Sequence, residues 1–156
     1  MITLQPVNED NFLAVCALKA GEEQKGFVLP APMILARAYA YREQRASAYA
    51  VCTSEAVVGV MLVENMDDEP ACYHISELLI DKAHQKKGYA RETMRLLLCK
   101  LQKEGKYPCV ELCVKKANSV AIRLYTSLGF AYSGYNDPEA PDCAWCAHCD
   151  GLLQTA

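Results

Sequence analysis

Long apolar runs are missing from this 156-residue sequence. The longest clean one, Val57 to Val63, falls well short of the ~18 residues a membrane-spanning helix needs, so no membrane partner is expected. The opening residues, Met1-Ile2-Thr3-Leu4-Gln5, carry neither the basic nor the apolar stretch of an export signal. A cytoplasmic location is the expectation. Neither charge dominates: 16 Lys and Arg against 19 Asp and Glu leave a net charge of −3. With no basic stripe, nucleic acid is not expected as a partner. Repeats, low-complexity tracts and interdomain linkers are also absent. Hydrophobic residues at 52% and charged residues at 22% exclude a disordered chain. Residues 1–156 are therefore read as one domain, long enough to bury a sizeable core.

Cysteine, by contrast, is plentiful. Nine of 156 residues is about 6%, below the ~8–10% of a disulfide scaffold. The number is odd, and several cysteines sit in apolar runs such as Val51-Cys52 and Leu112-Cys113-Val114. Most are read as small reduced core residues. The stretch Cys143-Ala144-Trp145-Cys146-Ala147-His148-Cys149 has enough soft ligands for zinc or an iron–sulfur cluster. Structural sites usually pair two such knuckles, and no second C-x-x-C exists here. Strand alternation also turns Cys146 away from Cys143 and Cys149. A final strand is the reading, and no metal is expected. His74 and His84 lack spaced partners and are read as core or cap residues. A covalent route through Cys113 or Cys143 has no support.

Hydrophobic periodicity orders the chain. Ile2 to Val7 alternates as a strand, and Asn8 to Asn11 can cap a helix through Leu18. Pro30 and Pro32 introduce a second helix, Met33 to Gln44. Ser47 to Thr53 and Val57 to Glu64 read as a hairpin, followed by a strand from Cys72 to Asp81. After Gly88, the residues Ala90, Met94, Leu97, Leu98 and Leu101 share one helical face, closed by Gly105. Pro108 to Val114 is a strand, Asn118 caps a helix ending at Gly129, and Phe130 to Tyr135 pairs with Cys143 to Cys149. The order β-α-α-β-β-β-α-β-α-β-β predicts a mixed α+β sheet.

One segment carries chemistry. Gln85-Lys86-Lys87-Gly88-Tyr89-Ala90-Arg91 lies between a strand and an amphipathic helix. A helix N-terminus has unpaired N–H groups and about half a positive charge, so self-sufficient helices place acids or Ser, Thr, Asp and Asn there. This one places Lys86, Lys87 and Arg91. Cations at a bare helix end, with Gly88 allowing close backbone approach, suit a bound phosphate. A solvated basic turn is the alternative.

Gln85-x-x-Gly88-x-Ala90 after a strand resembles the Q/R-x-x-G-x-G/A acetyl-CoA motif of the GNAT superfamily of N-acetyltransferases. Asn118-Ser119-Val120-Ala121-Ile122-Arg123-Leu124-Tyr125, running on to Gly129-Phe130, is similar to that superfamily's N-x-x-A-x-x-L-Y-x-x-x-G-F segment. Gln24-Lys25-Gly26-Phe27-Val28 with Ala38-Tyr39 resembles the bacterial diamine and spermidine acetyltransferase group. The resemblance implies a mostly antiparallel, twisted sheet flanked by helices on both faces, and acetyl-CoA as co-substrate. It further implies that the backbone of Leu78, Leu79 and Ile80 pairs with the pantetheine arm. Amides from Gln85 through Lys86, Lys87, Gly88, Tyr89 and Ala90, with Arg91 behind them, would hold the pyrophosphate. Asn118 and Ala121 would lie beside the distal arm, and Tyr125 would protonate the departing thiolate. Ala90 stands where glycine is commoner, and Lys86-Lys87 where Gly-Lys or Gly-Gln is frequent.

Acetyl transfer needs a neutral amine, yet an alkyl amine with a pKa near ~10.4 is almost fully charged at neutral pH. Glu77, beside the strand end, is the local carboxylate able to take that proton; a surface or salt-bridged strand residue is its other reading. A phenol near ~10 can donate to a thiolate near ~8.5 without prior ionisation, which suits Tyr125, although core packing also explains it. Backbone N–H groups where strands diverge would serve the developing oxyanion. Glu22, Glu23, Asp67, Asp68 and Glu69 fall on loops expected to flank the acceptor cleft, where they would attract a cationic polyamine or remain merely solvated. A primary amine acceptor attacking directly in a ternary complex is the expected chemistry. A peptide N-terminus, an amine antibiotic, a non-catalytic acyl-CoA binder and a metal- or redox-responsive module stay open. An exposed sheet edge or the last strand pair could support a homodimer.

Overall fold

The computed structural model describes residues 1–149. Its elements run β1 (Thr3–Pro6), α1 (Phe12–Cys16), α2 (Ala31–Ala40), β2 (Ser47–Cys52), β3 (Val57–Met66) and β4 (Cys72–Ile80). There follow α3 (Tyr89–Glu104), β5 (Cys109–Lys115), α4 (Ser119–Ser127), β6 (Ala131–Tyr132) and β7 (Cys143–Cys149). The strands form a seven-stranded sheet ordered β1-β2-β3-β4-β5-β7-β6, antiparallel at every junction except β4–β5. This is the mixed, mostly antiparallel α+β sheet that the patterning and the resemblance predict. No described helix is long and apolar enough to cross a membrane.

β3 is apolar on both sides because both sides are covered. Val60 and Leu62, with Leu79 of β4, pack beneath Val15, Ala31 and Ile34 of α1 and α2. Met61, Val63, Tyr73, Ile75, Val110, Leu112 and Val114 face the other way, against Met94, Leu97, Leu98 and Leu101 of α3. Ala121, Ile122, Tyr125 and Leu128 of α4 join that second layer. Each such aliphatic side chain contributes about 1.5–3 kcal/mol by leaving water, which fixes which face of every strand turns inward. α3 is bracketed by Gly88 at φ 79° and Gly105 at φ 61°, left-handed positions where a Cβ would cost about 1 kcal/mol or more.

The site is positioned by a parting of strands. β4 and β5 pair only over Tyr73–Ile75 and Val110–Leu112, after which β4 continues to Ile80 paired with β3 and no longer with β5. At the same point the β3–β4 register skips a residue: Leu62 faces Glu77 and Val63 faces Ile75, leaving Ser76 as a bulge. A groove therefore opens between β4 and β5.

Several expectations need correction. The first helix stops at Cys16 rather than Leu18, and Asn11 does not cap it: its side chain instead accepts from Asn8 N and donates to Pro6 O, tying the turn to β1. α2 begins at Ala31 and ends at Ala40, and Arg42–Gln44 form a separate 3-10 turn ended by left-handed Arg45. The strand expected over Phe130 to Tyr135 shrinks to two residues. Seven of the nine cysteines are free, as read for most of them, while Cys109 and Cys149, directly opposite on β5 and β7, are joined by a disulfide that the sequence did not indicate. A sequence separation of 40 hides that pairing until the strand register is known.

Candidate active site

The turn from β4 into α3 is braced from below. Asp81 accepts from Ala83 N at 2.9 Å and from Lys19 N at 2.8 Å, and Lys82 N donates to Lys19 O at 2.8 Å. Gln85 Nε2 donates to Ile80 O at 3.1 Å and to Gln24 Oε1 at 2.6 Å. Its side chain thus faces the α1–α2 connection and organises the turn. Lys86 (φ 60°) and Gly88 (φ 79°) are both left-handed. Gly88 caps α3 without any side-chain bond, and the N–H groups of Gly88, Tyr89, Ala90 and Arg91 meet no acceptor among the described residues. The first turn's one acid, Glu92, accepts from Ile2 N at 2.7 Å and is occupied. Lys86, Lys87 and Arg91 are exposed around this bare end, while Tyr89 and Ala90 pack against the cluster of Ile2, Val51, Val58 and Ile80. Such a helix end binds anions by unpaired N–H groups and helix dipole together.

Leu78, Leu79 and Ile80 lie on the part of β4 that β5 has left. Leu79 is buried under α1 and α2. Asn118 caps α4, its Oδ1 accepting from Ala121 N at 3.2 Å. Those two predicted residues meet each other at the helix start.

Glu77 sits at the bulge. Its Oε2 accepts the backbone N–H of Leu29, in the α1–α2 connection, at 3.2 Å. Burial raises its pKa above the ordinary carboxylate value, opposed by the Leu29 N–H and the Arg37 charge. Tyr125 approaches from the opposite face, half-buried on α4 with its ring edge-on to Phe130 at 5.9 Å. Burial, then the charge of Glu77, pushes its phenol up to about 12, so it is protonated at neutral pH. A carboxyl group with a raised pKa and a protonated phenol therefore lie within electrostatic reach of each other where β5 has left β4.

Sequence reasoning missed the polar network beside Glu77. Glu64, 5% exposed, is held by Arg37 through Nε–Oε1 at 3.1 Å and by Ser76 Oγ at 2.7 Å. His74 stands across the strand from Glu64 with its ring 5.4 Å from Trp145, and burial lowers its pKa despite the Glu64 and Glu111 charges. Alternation from Val60 and Leu62 to Glu64 was the signal that this carboxylate faces inward. The acidic loops separate: Glu22 and Glu23 adjoin Gln24 near the α3 end, with Glu22 paired to Lys25 at 2.6 Å. Asp67, Asp68 and Glu69 instead turn the β3–β4 hairpin at the other end of β4, where Asp67 is bonded to Lys106 and Tyr107. They do not flank the groove. A cavity of about 350 Å³, lined by Arg45, Tyr49, Asn65 and Lys106 among others, also lies at that far end. Among the described residues, no group of three or more His, Cys, Asp or Glu could hold a metal ion.

Solved structures share this architecture. A spermidine N-acetyltransferase from Vibrio cholerae, crystallised with CoA and spermine, superposes with a TM-score of 0.76 at 14% identity, covering 97% of this chain and 96% of that one. The ribosomal-protein-S18-alanine N-acetyltransferase of Escherichia coli gives 0.71 at 18% identity over 96% and 94%. An aminoglycoside acetyltransferase in complex with coenzyme A gives 0.77 at 15% identity over 97% and 96%. At these identities the likeness is one of fold. No curated protein matches the sequence. The acetyltransferase (GNAT) family model does, over residues 16–130, and with that match the chain belongs to the GNAT family of N-acetyltransferases.

Proposed function

We propose that the protein transfers the acetyl group of acetyl-CoA to the primary amine of a small cationic acceptor, by direct attack in a ternary complex. The observation that carries this reading is that the Glu77 charge reaches the Tyr125 phenol where β5 has left β4, beside a helix start with four unpaired N–H groups. In this reading Gln85 orders the turn, and Lys86, Lys87, Gly88, Tyr89, Ala90 and Arg91 hold the pyrophosphate. The open backbone of Leu78, Leu79 and Ile80 supplies hydrogen bonds to the extended arm, with Asn118 and Ala121 beside it. Glu77 takes the proton of the incoming ammonium, directly or through water, and its raised pKa brings it closer to the working range of a general base. Tyr125, held protonated by its surroundings, gives its proton to the departing thiolate.

A polyamine is the acceptor we favour. The carboxylates of Glu77 and Glu23, which form no ion pair among the described residues, support a cation, and the Vibrio cholerae neighbour was crystallised with spermine. Release of CoA thiol from acetyl-CoA, measured against polyamines, amino acids, aminoglycosides and peptide N-termini, tests it. Release with polyamines alone supports the proposal. Release only with peptides or aminoglycosides replaces the acceptor, and no release with any amine removes the catalytic reading.

A further inference from the structure

The cysteine motif Cys143–Cys149 forms the strand β7, and its last residue is cross-linked to β5. Cys149 lies directly opposite Cys109 across the β5–β7 ladder, with the two sulfurs bonded and Cα atoms 4.3 Å apart. On the other side of β5 the parallel register sets Tyr73 beside Val110, so Cys72, one residue earlier, stands beside Cys109. All three face the same way. Cys72 Sγ donates to Glu111 Oε2 at 3.5 Å, and Glu111 lies two residues along β5 from Cys109. Cys72, Cys109 and Cys149 thus form one row across three neighbouring strands, with Cys109 in the middle.

Thiol–disulfide exchange is a displacement at sulfur, in which a thiolate enters along the axis of the bond that breaks. A row of three supplies that alignment. Neighbouring strands stand about 4.8 Å apart, within the roughly 4.4–6.8 Å between Cα atoms that a disulfide spans. We propose that Cys72 is an alternative disulfide partner of Cys109, and that the row is an internal exchange site. In the exchange the Cys72 sulfur attacks the Cys109 sulfur, a Cys72–Cys109 bond forms and the Cys109–Cys149 bond breaks. The proton of Cys72 ends on Cys149, and no outside oxidant or reductant is consumed. The linkage moves from β5–β7 to β4–β5 and frees the thiol of Cys149, an exposed residue. Burial and the adjoining Glu111 push the Cys72 thiol up to about 12, which keeps it protonated and makes the exchange slow at rest.

The test holds the oxidised protein with N-ethylmaleimide and no reductant, then maps adducts and linkages by mass spectrometry of proteolytic fragments. Cys72 is 3% exposed and shielded from direct labelling. Adduct is expected to accumulate on Cys149 in molecules that carry a Cys72–Cys109 bond, and Cys72→Ser is expected to lower it about tenfold or more. An unlabelled Cys149, or labelling that Cys72→Ser leaves unchanged, overturns the proposal. Independently, Cys149→Ser equilibrated with oxidised and reduced glutathione should form Cys72–Cys109, the oxidised glutathione being reduced as the two thiols join. Only free thiols or glutathione adducts at those positions would also overturn it.

Discussion

The charge of Glu77 reaches the Tyr125 phenol although the two residues approach from opposite faces of the sheet, one braced by Leu29 before α2 and the other carried on α4. That electrostatic reach exists because β5 leaves β4 after Ile75. Were the strands paired to Ile80, backbone would separate the two side chains.

Tyr125→Phe removes the proposed donor and little else, since the hydroxyl makes no hydrogen bond among the described residues. Turnover is expected to fall about 100-fold, with CoA affinity and melting temperature nearly unchanged. Steady-state kinetics beside calorimetric CoA binding would check this. Undiminished turnover would reduce Tyr125 to a packing residue.

Glu77→Gln keeps an oxygen for Leu29 N–H and cannot accept a proton. The acid limb of kcat/KM against pH is expected to disappear, together with about 100-fold in rate. Stability moves the other way. The folded pKa lies above the ordinary 4.5, so Glu77 contributes stability below that value and loses it as pH rises through the folded pKa. The neutral variant should therefore gain melting temperature relative to wild type between about pH 4 and 7. A gain that shrinks over that range would contradict the assigned direction of the shift.

Gly88→Ala meets no neighbour within 4 Å, so its cost is conformational, about 1 kcal/mol for a left-handed residue. The apo protein should fold with that modest loss in denaturant titration. CoA affinity should fall with it, because the four open N–H groups depend on this turn. Calorimetry on the same samples separates the two effects.

Arg37→Ala leaves the Glu64 carboxylate buried with Ser76 as its remaining partner in the network, and about 3 kcal/mol of stability should be lost. Adding Glu64→Gln should restore part of it, because the stranded charge is gone. Urea denaturation of the single and double variants provides the measurement.

What the sequence reveals depends on whether the responsible physics is local. The limits of α3 are legible because Gly88 and Gly105 each occupy a left-handed position, and the Asn118 cap because its partner Ala121 is three residues away. The succession of strands and helices along the chain follows from alternation and apolar runs. Pairings between distant residues are another matter. Gln24 with Gln85, Arg37 with Glu64 and Cys109 with Cys149 arise from strand register and loop docking, which no short window encodes. Asp67 to Glu69 mislead for the same reason: their composition suits a cationic ligand, but the hairpin that carries them points to the wrong end of β4.

The three residue pairs joining β4 to β5 make the sheet resemble a book with a short spine. Four strands form one cover and three the other, and cross-spine cohesion beyond those rungs falls to the helices and the side-chain core. Whatever lies between the pages with hydrogen bonds to both covers would lengthen the spine. Heat resistance should then climb with the logarithm of its concentration once that exceeds the dissociation constant.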